Sequence, residues 1–173
     1  MTDRLLLVGM MAVGKTTTGR LSAQRLGWTF LDSDAQLLAE TGRSAQEIFD
    51  SDGDGALRSW ETKVFHEAID EPVPVVVAVA GGVVLSEANR ALLVKSGVVV
   101  WLRASIETLS ERVERDAARP RLGDDPELSL RELYRTRHPL YASVAAYVID
   151  VDDLAPEEVV ARLLAETGLV AEQ

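Results

Sequence analysis

Gly9-Met10-Met11-Ala12-Val13-Gly14-Lys15-Thr16 is the stretch on which the fold turns. It fits G-x-x-x-x-G-K-[ST], and its setting suits that pattern: the apolar run Leu5–Val8 precedes it and a helical segment, Lys15–Leu26, follows. Glycines let the backbone curl so that successive N–H groups face phosphate oxygens. The helix behind adds its positive end. In such a loop Lys15 reaches the β- and γ-phosphates and the Thr16 hydroxyl can ligate Mg²⁺. ATP and Mg²⁺ are therefore the expected cofactors. Ala12, Val13, Gly14, Lys15, Thr16 and Thr17 are the expected nucleotide contacts.

Working outward, further β-branched runs lie at Thr29–Leu31, Val75–Val79, Val98–Leu102 and Tyr147–Asp150. Most are uniformly apolar, which suits strands covered on both faces. Helical segments alternate with them. Lys15–Leu26 should end near Gly27, and Pro156 should open a last helix through roughly Thr167. Ser44-x-x-Glu47 and Ser129-x-x-Glu132 have capping-box spacing and predict helix starts. The sum is an α/β, three-layer fold of the P-loop NTPase kind, with a five-stranded parallel sheet flanked by helices. One domain is expected over residues 1–173, with no repeat or low-complexity linker. Two segments interrupt the alternation. Residues 34–70 read as a helical, substrate-binding insertion, and residues 116–127, rich in Arg, Gly, Pro and Asp, as a lid loop.

Composition narrows the partners. The formal charge of −10 argues against a polynucleotide, since such proteins gather cations. A small anion remains a suitable ligand if a few arginines share one cleft. There is no cysteine, and no apolar run reaches the roughly 20 residues that span a bilayer. A cytoplasmic monomer with no membrane or nucleic-acid partner is expected.

What the loop does with its phosphate depends on the carboxylates. Many nucleotide hydrolases place an aspartate at the end of a central strand to help hold Mg²⁺. Here Val75–Val79 runs into Ala80-Gly81-Gly82 and offers no acid, whereas Asp32-Ser33-Asp34 follows the second strand. Two acids so spaced could serve a metal shell and an acceptor hydroxyl separately. A rival pattern is Asp50-Ser51-Asp52-Gly53-Asp54-Gly55 with Glu61, which satisfies the EF-hand calcium loop. The segment ahead of it is short for a flanking helix and no second loop accompanies it. An acidic turn opening a helix with Arg58 and Glu61 is the preferred reading, with Glu61 three residues on and able to orient Arg58.

From Arg4 to about Arg162 the chain resembles the shikimate kinases. The resemblance rests on an ordered set: Leu31-Asp32-Ser33-Asp34, Thr41-Gly42-Arg43-Ser44, Ile48-Phe49, Asp54-Gly55, Arg58, Glu61, Gly81-Gly82, Arg119-Pro120 and Arg137-His138-Pro139-Leu140-Tyr141. It implies transfer of the ATP γ-phosphoryl group to the 3-hydroxyl of shikimate, a step toward chorismate and the aromatic amino acids. By position it implies Lys15, Asp34 and Arg119 as catalytic residues. Asp34, Arg58, Gly81, Gly82 and Arg137 would bind substrate, and Thr16 and Asp32 the metal. Arg112 and Arg119 would lie by the nucleotide, Arg119 on the lid. Arg43 has no assigned role. The chain departs from the family's pattern at Ala12 and Ala80, where glycine is usual, and at Arg121, where leucine is. It departs again at Asp150-Val151-Asp152-Asp153, a loop that often carries arginine near the adenine. Alternatives are a related kinase of another small hydroxy acid such as gluconate, a non-catalytic nucleotide-binding regulator, or a calcium-binding module.

Overall fold

The structure, a computed structural model, describes residues 3–115 and 125–171. Its strands are β1 (Arg4–Val8), β2 (Thr29–Asp32), β3 (Val75–Ala78), β4 (Val98–Arg103) and β5 (Tyr147–Asp150). All neighbours pair parallel, in the order β2-β3-β1-β4-β5. β3 is four residues of valine and alanine, all buried, as a strand covered on both faces must be. Each strand lies within a residue or so of its expected bounds, because uniform β-branched runs between breakers leave little ambiguity.

Crossover handedness then sets the layers. Helix α1 (Lys15–Leu26) links β1 outward to β2, while α4 (Asp54–Asp70), α5 (Glu87–Ser96) and α7 (Pro126–Val144) carry the chain back across the sheet. Right-handed crossovers place α1 on one face and the other three opposite. Helix α8 (Pro156–Thr167) packs beside α1. The connection from β3 to β4 passes over β1, so the carboxyl end of β1 is a switch point, where open α/β sheets bind ligands.

The insertion folds as α2 (Ser33–Thr41), α3 (Ala45–Asp52) and the first half of α4. It has its own small core of Leu37, Ile48, Leu57 and Val64, separate from the main cluster on the sheet. Ser44 and Glu47 form the expected capping box at the start of α3. The second such prediction is corrected. Helix α7 begins before Ser129, at Pro126, with the Asp125 side chain accepting from Leu128 N at 3.0 Å. An aspartate cap, proline in the first turn and Glu127 behind it make a stronger start than serine alone. Residues 126 and 127 are thus helical rather than lid. The remaining lid expectation, with Arg119 and Arg121, lies outside the described residues. Before it, α6 (Ile106–Arg115) completes the set.

Geometry also removes the calcium loop. Asp50 and Asp52 lie on α3, Gly53 turns the chain at φ 87°, and Asp54 opens α4. Asp52 pairs with Arg43 at 2.9 Å, and Glu61 is buried against Arg58. The acids are divided between two helices, where Asp52, Asp54 and Glu61 hold arginines and Asp50 accepts from Gln46.

Candidate active site

A cavity of about 760 Å³ opens at the carboxyl end of β1. One end is the phosphate loop. A side chain at Gly9 would come within 2.5 Å of Leu102 O, so glycine is required where the loop leaves the sheet. Ala12 has φ 65°, the left-handed region that disfavours a Cβ, and Gly14 follows at φ 103° as the N-cap of α1. Lys15 curls over the loop, its Nζ 2.9 Å from Gly9 O and 3.0 Å from Met10 O. Lys15, Thr16 and Thr17 line the cavity, as do Ala12 and Gly14, whereas Val13 turns its side chain into the core.

Thr16 Oγ1 donates to Asp32 Oδ2 at 2.6 Å. The other oxygen, Asp32 Oδ1, accepts from the backbone N–H of Asp34 at 3.0 Å and Ala35 at 3.2 Å. Asp32 is thus the N-cap of α2 and the partner of the loop hydroxyl at once, and Asp34 reaches the cavity wall one residue into that helix. Arg112 sits behind the loop. Its Nη1 donates to Val13 O at 3.2 Å and its Nη2 to Val151 O at 3.2 Å, tying the loop to the residue after β5. The acidic loop there is itself fastened: Asp150 takes Arg103 bidentately at 2.5 and 2.8 Å, and Asp152 accepts from Ser105 N and Oγ. The Arg103 guanidinium holds the Asp150 carboxyl below its ordinary range.

The other end is built on glycine. A Cβ at Gly82 would fall 2.0 Å from Arg58 Nη1 and 2.1 Å from Glu61 Oε2; one at Gly81 would fall 3.1 Å from Arg137 Nη1. Both guanidinium tips therefore lie against the same dipeptide. Arg58 and Glu61, one turn apart on α4, pair at 2.6 Å, while Asp54 Oδ1 accepts from Arg58 Nη2 at 2.8 Å and Nε at 3.1 Å. Burial pushes the Glu61 carboxyl up from its ordinary value, against the pull of Arg58 and Arg137. Arg137 is 5% exposed, and its Nε has no partner among the described residues.

Asp34, Arg58, Gly81 and Arg137 line the cavity beside Glu61. Gly82 does not; it backs the Arg58–Glu61 pair. Ala80 is not a wall residue either, since its methyl is buried in the main core. Sequence reasoning missed the apolar liner Leu57 and the part played by Asp54. The 54/58 spacing, i to i+4 on a helix, was the available signal.

A family model described as shikimate kinase matches residues 11–167. The chain belongs to the shikimate kinase family. A shikimate kinase of Ruegeria pomeroyi is 41% identical over 162 residues, covering 93% of this chain and 83% of that one. Another, of Neisseria gonorrhoeae, is 45% identical over 148 residues, with 85% and 86% covered. Among solved structures, a shikimate kinase of Acinetobacter baumannii in complex with shikimate superposes with TM-score 0.89 at 37% identity, over 95% of this chain and 92% of that one. A gluconokinase of Sinorhizobium meliloti, 22% identical with TM-score 0.70 over 96% of this chain and 92% of that one, shares the fold. As a shikimate kinase the protein is an ATP-dependent transferase, and its two-ended cavity is the shape that such a reaction needs.

Proposed function

We propose that the glycine-backed end of the cavity takes shikimate, and that the protein moves the γ-phosphoryl group of ATP onto its 3-hydroxyl. The observation that carries this is the pair of arginines on Gly81-Gly82, facing the same cavity as Asp34 and the phosphate loop. A planar guanidinium fork can bond both oxygens of a carboxylate, so Arg58 and Arg137 suit the acid group. Asp34, on the wall of the cavity, would hold the acceptor hydroxyl and take its proton. Lys15 would leave Gly9 and Met10 carbonyls for the phosphates, while the loop N–H groups hold them in line. Arg112 would keep the loop rigid from behind. Arg119, outside the described residues, is assigned to the phosphates on the strength of the family resemblance.

Thr16 and Asp32 offer only oxygen donors, 2.6 Å apart beside the loop, which fits Mg²⁺. When bound, the ion would offset charge on the β- and γ-phosphates. The reading is of a single kinase domain, a cytoplasmic monomer acting on a small molecule. It accords with a chain free of cysteine and, among the described residues, of any helix long and apolar enough to cross a membrane.

The test is coupled ADP release with Mg²⁺ and a panel of hydroxy acids, gluconate included. Shikimate-dependent release well above the other acids is expected. Its absence would overturn the assignment.

A further inference from the structure

The geometry points to Tyr141 as a positioning residue that holds the Gly81 wall against Arg137 for the acceptor's carboxylate. This rests on the reading of Arg137 as a carboxylate grip. Tyr141 follows Arg137 by four residues on α7, so the two side chains share a helix face. The tyrosine is 1% exposed and packs on Trp101, with ring centroids 5.9 Å apart. Its hydroxyl donates to Gly81 O at 2.8 Å. A phenol has one proton, and here it is used on the carbonyl. Arg137 Nη1 lies against the same glycine, 3.1 Å from where its Cβ would stand.

Gly81 thus joins the two side chains: its carbonyl takes the phenol proton, and its Cα stands against Arg137 Nη1. Burial pushes the phenol up to about 12, so the proton stays in place at ordinary pH. Contact is close on every side: a Cβ at Gly81 would lie 3.1 Å from Arg137 Nη1, 3.3 Å from the Tyr141 hydroxyl and 3.6 Å from Gly9 O at the edge of the phosphate loop. Tyr141 does not line the cavity, so its effect on the reaction would pass through Arg137 and Gly81.

The experiment is steady-state kinetics of Tyr141→Phe with shikimate and ATP varied in turn. The expected result is a rise of about tenfold in KM for shikimate, the scale of losing one hydrogen bond to a buried carbonyl. KM for ATP should stay within about twofold, because uniform damage would raise both. An unchanged KM for shikimate, or an equal rise in both constants, would overturn the proposal. If Tyr141→Phe does not fold, Gly81→Ala probes the same contact with the hydroxyl kept. It should raise KM for shikimate alone, and no selective rise would be equally fatal. Wild-type protein inert toward shikimate would instead remove the functional reading beneath it.

Discussion

At the scale of single residues, Gly82 and Glu61 carry the sharpest expectations. A methyl at Gly82 cannot coexist with the Arg58–Glu61 pair where it stands, being 2.0 and 2.1 Å from their tips. Arg58 can swing away, whereas Glu61 is buried. Gly82→Ala should therefore raise KM for the acceptor by roughly tenfold or more, with ATP binding unchanged, as loss of a charged hydrogen bond predicts. Isothermal titration of each ligand separately checks it; equal loss of both would refute the contact. Glu61 gives a pH dependence. Its carboxyl is raised in the folded protein by burial, so the fold holds that proton longer than the unfolded chain does. Stability from this group is full below the ordinary carboxylate value and declines as pH rises through the folded one. Glu61→Gln removes the decline, so the variant should gain stability relative to wild type as pH rises from the ordinary carboxylate range toward neutrality, while binding the acceptor less well. Melts across that range decide the matter, and a pH-independent difference would count against it. The Arg58–Glu61 pairing was legible from the i, i+3 spacing. Gly82's service was not, because spacing along a chain does not say which backbone a distant helix will press against.

Elements show the same division between local and long-range information. The α2–α4 insertion has its own core, so Ile48→Ala, at a fully buried site, should cost about 2–5 kcal/mol in that unit, as large-to-small core changes do. Because the main core supports the phosphate loop, ATP binding should survive while KM for the acceptor rises and amide exchange quickens across residues 33–70. Exchange that quickens equally in β1 and β3 would mean one core rather than two. Apolar runs, the phosphate loop, Gly27 and the Ser44 box placed most elements correctly in the sequence, since each is a local signal. Ser129-x-x-Glu132 misled because two stronger cues, Asp125 and Pro126, stood a turn ahead. Asp50–Gly55 fitted an ion-binding pattern, yet Gly53 splits it between two helices whose acids meet Arg43 and Arg58. Ala80, which stands where the family usually has glycine beside Gly81, turns its methyl into the core rather than toward the cavity.

For the molecule as a whole, the cavity divides between two bodies of packing, and ligands should report on them unequally. The phosphate loop belongs to the main core, and Met10, Ala12 and Val13 are buried in it. ATP should therefore stabilise the whole protein, by about 2.7 kcal/mol at a hundred times its dissociation constant. In a domain of this size that is a rise of about 5–10 °C in Tm. On the proposal that Thr16 and Asp32, whose oxygens approach to 2.6 Å beside the loop, hold Mg²⁺, part of this gain should depend on the ion. Chelating the ion with EDTA should shrink the ATP-induced shift, and Asp32→Asn should make the shift insensitive to EDTA. That variant keeps one side-chain oxygen to cap α2 at Asp34 N and Ala35 N, so it should fold. Differential scanning fluorimetry with ATP, with and without Mg²⁺, makes the comparison in one plate. If the wild-type shift were the same in EDTA, the metal would not be held by these two residues, and the assignment of Asp32 would fall while that of the loop would stand.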